Sequence, residues 1–501
     1  MKLIFRYIGK YKRFIFLTVL IKLLGTSAEL ALPYILEHII DNVVPLGRMS
    51  SVIVWGLAMF VAAILCRWLN VSSNRKAVDT AHRISYEVRQ SLFERTSNLT
   101  GAQFDAFGLP SLISRMTSDS YNVQSSIQQI QTLCVRAPIM LIGGIIVTLT
   151  MNAYLASILI LMLPLLMGVI LFVSSHGIPL YTTVQQSLDT VVRLMRENIT
   201  GIRVVKALSK ESYEKKRFAE ANRNMAHRDI IAATVMSIPW PLMQLFLNIG
   251  LTLVVFLGAR RVNEGLMKPG VILAFLTYFN MITMGIMGVN RIFMTMSKAS
   301  ASADRIDAVL QAPIEDAPLD PEKAAAPAGD EFIRFEHVDF SYGEDSSEKE
   351  GFVGEEREKA LADISFAIRR GESLGIIGPT GCGKTTIINL LMHFYDADAG
   401  GVFVDGKDVR TYEKDKLRSK FGAAFQNDMI FQDTLLENID FGRHLSAEQI
   451  RRAVEDAQAA EFIDSLPAGL SHEASIKGAN LSGGQKQRIL VSRALAGDRR
   501  S

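Results

Sequence analysis

Residues 378–386 read GPTGCGKTT, between an apolar segment that favours a strand and one that favours a helix. They match the phosphate-loop pattern GxxxxGK[ST], whose glycines let backbone N–H groups approach phosphate oxygens that a Cβ would obstruct. The start of the following helix adds partial positive charge at the same place. This stretch predicts a nucleotide site on a strand–turn–helix unit, and hence an α/β P-loop NTPase domain.

The side chains of this loop predict how a nucleotide is held. Lys384 is expected to contact the β- and γ-phosphates of ATP, and the Thr385 hydroxyl is expected to bind Mg²⁺. The alternative, a glycine-rich turn that matches by coincidence, leaves the flanking strand and helix patterns unexplained. The candidate ATP-binding residues of the loop are Gly378, Pro379, Thr380, Gly381, Cys382, Gly383, Lys384, Thr385 and Thr386.

The sequence before the loop separates into a linker, strands and a polar insert. Residues 311–330 are rich in Pro, Ala and acidic residues, which predicts a linker. Alternation in FIRFEHVDFSY (332–342) predicts a strand, and LADISFAIRRGESLGIIG (361–378) predicts two more. The charged residues 343–360 between them predict a solvated loop. The nucleotide domain is therefore expected to cover 331–501.

The N-terminal 310 residues have the composition of a membrane domain. The uncharged run 137–173 would form a helix of about 55 Å, nearly twice a bilayer core of about 30 Å, so it predicts two helices that turn near 151–154. A proline kink is expected at 239–241. Together the apolar runs predict six spans, within residues 14–36, 52–66, 137–173 (two), 230–259 and 269–290.

Positive charge is concentrated in two segments between these runs. Residues 72–136 contain seven Lys or Arg and residues 176–229 contain ten, whereas the 151–154 turn has none. The positive-inside rule then places both termini and both segments in the cytoplasm, as membrane helices that continue beyond the bilayer. A net charge of +3 is too small to indicate a nucleic-acid partner.

A second motif, LSGGQKQR at 481–488, follows the phosphate loop by about 100 residues. The pair resembles the nucleotide-binding domain of an ABC transporter, and six spans ahead of one such domain resemble an exporter-type half-transporter. The resemblance covers essentially the whole chain and implies a membrane domain at 1–310, a linker and a cassette at 331–501. Weaker similarities are ENITGIRVVKALSKE (197–211), SASADRIDAVL (300–310) and LISRMTSDS (112–120).

The resemblance also implies roles for residues outside the loop. Tyr342 matches the aromatic residue that stacks on adenine, and Gln426 matches the glutamine that contacts Mg²⁺ with Thr385. An ordinary strand tyrosine and a solvated glutamine are the alternatives. The signature caps ATP bound by the opposite protomer, which implies a homodimer or a heterodimer with another half-transporter. Its residues are Leu481, Ser482, Gly483, Gly484 and Gln485.

Several features depart from the family pattern. Lys477 stands near a position where many exporters have an acidic residue, and the insert lengthens the loop after Tyr342. No Walker B strand or catalytic glutamate precedes Ser501, so the cassette is expected to be incomplete and the catalytic residues to follow Ser501. This chain alone is then expected not to hydrolyse ATP.

The sequence leaves three functions open. The first is ATP-dependent export of an unidentified, amphipathic substrate across the cell membrane. The second is a hydrolysis-dead ATP-binding fragment, or pseudogene product, of such a transporter. The third, a membrane-anchored phosphate-loop enzyme of another family, leaves LSGGQ unexplained. Four polar residues fall at membrane depth, where such groups are often functional: Lys22, Glu29, Gln244 and Asn248.

The charge asymmetry generates a test of topology. Reporter fusions at Arg48, Asn152 and Asn263 should report the outside, and fusions at Thr100 and Lys210 the cytoplasm, because the basic segments stay inside. A cytoplasmic signal at Asn152 would contradict the six-span arrangement.

Overall fold

The computed structural model describes residues 2–313, 331–343, 359–425 and 429–497. Gln426, most of the predicted linker and most of the charged insert lie outside the described residues. The chain divides into two units. One comprises Met1–Phe93 and Ser114–Leu310, and the other comprises Glu94–Ile113 and Gln311–Ser501.

Residues 2–310 are almost entirely helical, because a helix pairs its own backbone groups in an apolar environment. Short π-helical turns at Ile39–Val43, Arg115–Asp119 and Ile139–Gly143 continue the α-helices they join. The helices are α1 (Lys2–Lys10), α2 (Lys12–His38), α3 (Met49–Ser97), α4 (Gly101–Phe107), α5 (Leu109–Ser114), α6 (Ser120–Gln131), α7 (Leu133–Pro138), α8 (Gly144–Met151), α9 (Ala153–Thr200), α10 (Ile202–Ala207), α11 (Glu211–Ser237), α12 (Pro239–Asn263) and α13 (Pro269–Leu310).

Five helical segments of the described chain are long and apolar enough to cross a membrane. A sixth apolar segment, Ala153–Val169, is shorter and forms the first part of α9. The predicted turn between the third and fourth spans is present at Asn152, whose side chain accepts hydrogen bonds from the backbone N–H groups of Tyr154 and Leu155. The five longer segments are Lys12–Leu46, Met49–Ser97, Leu109–Met151, Glu211–Asn263 and Pro269–Leu310.

The proline kink predicted at 239–241 coincides with a boundary between two helices. Helix α11 ends at Ser237 and α12 begins at Pro239, with Ile238 between them. Proline has no N–H to continue the helical ladder, but it fits the first turn of a new helix.

Close packing of α9, α12 and α13 forms one core of the membrane unit. Gly250 on α12 lies against Phe279 on α13, where an added Cβ would stand 2.5 Å from the ring. Small residues that let helices approach are the usual means of packing in lipid, where the hydrophobic effect contributes little. The buried side chains of this core are Leu159, Met162, Leu166, Met243, Leu247, Phe279, Ile282 and Ile286.

Two charged groups inside the membrane unit, Lys22 and Arg136, have polar partners on other helices. The Lys22 side chain is 3% exposed and its Nζ donates to the amide oxygens of Asn70 at 2.9 Å and Asn74 at 3.1 Å. Arg136 forms a salt bridge of 2.7 Å with Glu29. Such pairing offsets the cost of holding charges away from water.

Asp119 joins the π-turn before α6 to the last turns of α13. Its Oδ1 accepts from the Ser302 hydroxyl at 2.8 Å, and its Oδ2 accepts from Arg305 Nε at 2.9 Å. The Asp119 side chain is only 3% exposed. Two segments singled out in the sequence, 112–120 and 300–310, are therefore in direct contact.

The second unit contains a four-stranded antiparallel sheet of order β2-β1-β3-β4. Helix α14 (Lys384–Leu391) packs on it, with Leu390 in the same core as Phe335 and Val404. The first two strands lie where alternation predicted them. The strands are β1 (Glu331–Ser341), β2 (Lys359–Arg369), β3 (Ala399–Val404) and β4 (Lys407–Asp408).

The prediction of a second strand within 361–378, at residues 373–377 just before the phosphate loop, is wrong. These residues have no regular secondary structure, and Leu374, Ile376 and Ile377 are 49%, 42% and 98% exposed. A strand needs a neighbour to satisfy its N–H and C=O groups. Within the described part of the chain, no strand pairs with this segment.

A separate, all-helical part of this unit follows the sheet. Buried Leu435, Ile439, Ile450 and Ile489 belong to its core. Helix α15 (Lys414–Arg418) lies in the connection before this part. The helices of the part itself are α16 (Leu435–Asp440), α17 (Ala447–Asp456), α18 (Ala460–Asp464) and α19 (Gly483–Leu495).

Loss of the Asp119 carboxylate should destabilise the membrane unit. Asp119→Ala leaves the Ser302 hydroxyl, which is fully buried, without this acceptor. Hydrogen bonds to charged groups contribute about 1.5–3 kcal/mol each, so a loss of about 2 kcal/mol is expected. The measurement is the melting temperature of the purified protein in detergent.

The matched control is Asp79→Ala on α3. Asp79 also pairs with an arginine, Arg83, but its side chain is 64% exposed. Exposed pairs contribute about 0.2–1 kcal/mol, so this variant should melt close to the parent. Equal melting temperatures for the two variants would show that the Asp119 contacts add nothing beyond an exposed pair.

Candidate functional site

The phosphate loop has a backbone conformation that its glycines make possible. Gly381 and Gly383 have φ of 89° and 91°, in the left-handed region that favours glycine. A Cβ on Gly383 would lie 2.6 Å from the Ala360 carbonyl oxygen. The loop can therefore turn closely past β2 and enter α14 with Gly383 as the N-cap.

Lys384, the first residue of α14, lies against the loop. Its Nζ donates to the carbonyl oxygens of Gly378 and Pro379, both at 2.8 Å. The cation is thus held beside the N-terminal end of α14, which carries partial positive charge. Thr385 is exposed in the next position, whereas Thr386 is buried. This arrangement fits an anionic phosphate chain and leaves the Thr385 hydroxyl available as a Mg²⁺ ligand.

The structure brings Tyr342 next to this loop. Its hydroxyl donates to Thr386 Oγ1 at 3.1 Å and accepts from Asn389 Nδ2 at 3.2 Å. Its ring is held edge-on by Phe340 and Tyr395, with centroids 4.8 Å and 5.3 Å away. The residue is still 42% exposed, so part of the ring can stack on a base.

The signature forms the N-terminus of α19. Ser482 is its N-cap in a capping box, because Gln485 N donates to Ser482 Oγ and Ser482 N donates to Gln485 Oε1 at 2.8 Å. Leu481 anchors the turn in the helical core. An added Cβ on Gly483 or Gly484 would meet no atom within 4 Å, so the backbone there is open to a ligand.

A cavity of about 390 Å³ adjoins the signature. None of the described residues that line it belongs to the phosphate loop. The α19 N-terminus combines free N–H groups with the positive end of the helix dipole, which suits a phosphate. The lining residues are Glu461, Phe462, Ser465, Ser482, Gly484, Gln485 and Arg488.

The metal prediction rests on Thr385 within the described chain, since Gln426 lies outside the described residues. No group of three or more His, Cys, Asp or Glu among the described residues could hold a metal ion. Mg²⁺ bound to a nucleotide commonly takes one or two protein ligands together with phosphate oxygens and water. A site of that kind is consistent with an exposed Thr385.

Sequence reasoning missed Tyr395 and Asn389, which both contact Tyr342. Burial raises the pKa of the Tyr395 phenol, and a hydrogen bond to Asp105 raises that pKa further. The signal that could have found Asn389 is its place one helical turn after Thr385. The contact of Tyr395 with Asp105 spans 290 residues, and no local pattern indicates it.

Known protein families match both the helical membrane region and the domain that contains the phosphate loop. Residues 15–287 match the family model described as ABC transporter transmembrane region, and residues 361–500 match the model described as ABC transporter. The uncharacterized ABC transporter ATP-binding protein YfiB of Bacillus subtilis strain 168 is 31% identical over 96% of this chain and 81% of its own length.

Two further relatives extend the comparison. An ATP-dependent lipid A-core flippase of Vibrio vulnificus is 28% identical over 99% of this chain and 83% of its own length. The solved structure of a bacterial Atm1-family ABC exporter with ATP bound has a similar fold, with a TM-score of 0.75, 21% identity and coverage of 97% of this chain and 84% of that one.

A helical membrane region, a phosphate loop and a signature helix thus follow one another on one polypeptide. The chain belongs to the ABC transporter family, with its transmembrane region and its ATP-binding domain on one polypeptide.

Proposed function

We propose that this chain exports an amphipathic substrate as a dimer of half-transporters, powered by MgATP that binds between the two protomers. One observation carries the proposal. The chain holds two different helix N-termini suited to phosphate, one at the loop 378–386 and one at α19, and the signature cavity has no phosphate-loop residue among its described lining. Each surface is half of a site that a second copy, or a related half-transporter, completes.

The roles of the residues follow from their chemistry. Lys384 and the loop N–H groups hold the phosphates, Thr385 ligates Mg²⁺, and Tyr342 stacks on adenine. Ser482, Gly483 and Gly484 of the other protomer approach the outer phosphate with the positive end of α19. ATP then draws the two domains together, and the membrane helices respond by alternating access.

An amphipathic substrate is supported by a mixed surface on α12. An open, shallow face of α12 there has apolar Leu251, Val255 and Phe256 beside polar Asn248 and Arg260. Such a surface suits a molecule with an apolar body and a polar group. The lipid A-core flippase among the relatives acts on a molecule of that class. The proposed location is the cell membrane, with both termini in the cytoplasm.

A complementation experiment tests the shared sites. One tagged chain carries Lys384→Ala and a second, differently tagged chain carries Gly483→Asp. The aspartate meets no atom within 4 Å at its Cβ and suits the first turn of a helix, so α19 should fold, while its charge repels the outer phosphate. Mixed dimers are isolated by successive purification on both tags.

In the mixed dimer, one site combines both changes and the other combines two unchanged surfaces. We expect the mixed dimer to bind about half as much ATP tightly as the parent, and each variant homodimer to bind little. If each site lay within one chain, the mixed dimer would bind no better than the homodimers.

Lys384→Ala by itself should weaken ATP binding. Charge-assisted hydrogen bonds contribute about 1.5–3 kcal/mol each. The Kd for labelled ATP should therefore rise by roughly tenfold or more, at about 1.4 kcal/mol per tenfold. Lys407→Ala, at an exposed lysine on β4 of the same sheet, is the control and should leave the Kd unchanged. A parent-like Kd for Lys384→Ala would show that the loop is not the site.

A further inference from the structure

Arg136 lies at membrane depth and uses only part of its hydrogen-bonding capacity. It belongs to α7, about 24 Å along the helical path from the turn at Asn152, which is within a bilayer core of about 30 Å. Its Nη2 donates to Glu29 Oε1 at 2.7 Å. A guanidinium has further N–H donors on Nε and Nη1, and among the described residues no atom accepts from them.

The Arg136 side chain is also accessible. It is 42% exposed, whereas the side chain of its partner Glu29 is 24% exposed. An ion pair held away from water is favourable only when further hydrogen bonds satisfy the remaining donors and acceptors. Charged groups in membrane segments usually face a partner or a water-filled cavity, and they often mark the path of a substrate. Arg136 combines accessibility with unused donors, which a purely structural ion pair does not require.

A second cation lies near this pair. Lys22 is 3% exposed, and its Nζ donates to the amide oxygens of Asn70 and Asn74, which carry no charge. The charge of Lys22 interacts with those of Glu29 and Arg136. Two cations therefore share one carboxylate, so the cluster of Lys22, Glu29 and Arg136 carries a net charge of +1. An anion beside Arg136 would balance this charge.

The chemistry of the guanidinium indicates which anion fits. Its planar fork of N–H groups matches the paired oxygens of a phosphate or a carboxylate. Transfer of a free, hydrated anion into an apolar region is costly, so an anion that reaches this depth is best carried on an apolar body. The free donors of Arg136 therefore suit an amphiphile with an anionic head group.

We propose that Arg136 binds the anionic head group of the exported substrate, with Glu29 orienting the guanidinium and Lys22 adding positive charge. The substrate is then an anionic amphiphile with a phosphate or carboxylate head group. This inference rests on the proposed export of an amphipathic substrate and adds the sign of its charge. Glu29 holds Arg136 when no substrate is bound and competes with the head group for it.

Binding of labelled dodecyl phosphate tests the site. The full chain is placed in phosphatidylcholine nanodiscs, and empty nanodiscs give the baseline. The parent should bind dodecyl phosphate at least about tenfold more tightly than inorganic phosphate, which has no apolar body, or dodecyltrimethylammonium, which has no negative charge. Arg136→Gln should raise the Kd for dodecyl phosphate at least about tenfold, because it removes the charged donors.

Glu29→Gln separates head-group binding from a structural ion pair. The change removes the carboxylate that competes for Arg136, while the amide oxygen of glutamine can still accept a hydrogen bond. The Kd for dodecyl phosphate should therefore fall by about threefold or more. A structural ion pair would instead make Glu29→Gln and Arg136→Gln change the Kd in the same direction, or leave it unchanged in both.

A double variant guards against misfolding. Arg136→Gln alone leaves the Glu29 carboxylate without its cation, and breaking one half of such a pair is often strongly destabilising. Glu29→Gln with Arg136→Gln removes both charges together, which proteins tolerate better. This variant should melt close to the parent and bind dodecyl phosphate as weakly as Arg136→Gln.

Arg83→Gln on α3 is the matched control. Arg83 also donates to a single carboxylate, that of Asp79 at 3.0 Å, but its side chain is 65% exposed. The substitution removes the same charge from the same unit at a place where water and salt screen it. The Kd for dodecyl phosphate should stay within about twofold of the parent.

The outcomes distinguish this site from the export function on which it rests. A parent-like Kd for dodecyl phosphate in the double variant, or equally tight binding of dodecyltrimethylammonium, would overturn the anionic site and leave an amphipathic substrate in place. Equally tight binding of inorganic phosphate would overturn the amphiphile and indicate a site for a free anion. If the parent bound neither amphiphile, the proposed amphipathic substrate would itself be overturned.

Discussion

Backbone hydrogen bonding in an apolar solvent is the constraint on which the N-terminal 310 residues depend. Lipid offers no partner for an N–H or C=O group, so each crossing segment must pair its own backbone as a helix. Helix α3 has 49 residues, or about 74 Å at 1.5 Å per residue, more than twice the thickness of a bilayer core. The same helix that crosses the membrane therefore also continues well beyond it, and α9, with 48 residues, does the same.

Charges along these helices are tolerated where other helices supply their partners. Asp119 accepts hydrogen bonds from Ser302 and Arg305, Lys22 donates to the amide oxygens of two asparagines, and Arg136 donates to Glu29. Each partner lies more than 40 residues away along the chain. Because leaving one member unpaired away from water is costly, these contacts define which helices can be neighbours as well as adding stability.

The phosphate loop and the signature, the two surfaces proposed to bind phosphate, reach a similar arrangement through different local contacts. The phosphate loop relies on positive φ at Gly381 and Gly383, which lets the backbone pass close to β2. The signature relies on a capping box that fixes Ser482 and Gln485 and leaves the two glycines between them open. Both end at a helix N-terminus, where free N–H groups and the helix dipole favour an anion. Tyr395 contacts Tyr342, which lies beside the first of these surfaces, and Asp105 on α4.

The sequence by itself determined the features that are local in the chain. Apolar runs identified the membrane helices, prolines indicated the helix boundary before α12, and the glycine spacing identified the phosphate loop, because each depends on neighbouring residues alone. Only the tertiary structure decided whether 373–377 is a strand, where Asp119 finds its partners, and that Tyr342, Tyr395 and Asp105 lie in contact. The physical reason is that a strand, a buried charge and an aromatic contact each need a partner from a distant part of the chain, and alternation or composition cannot say which partner comes near.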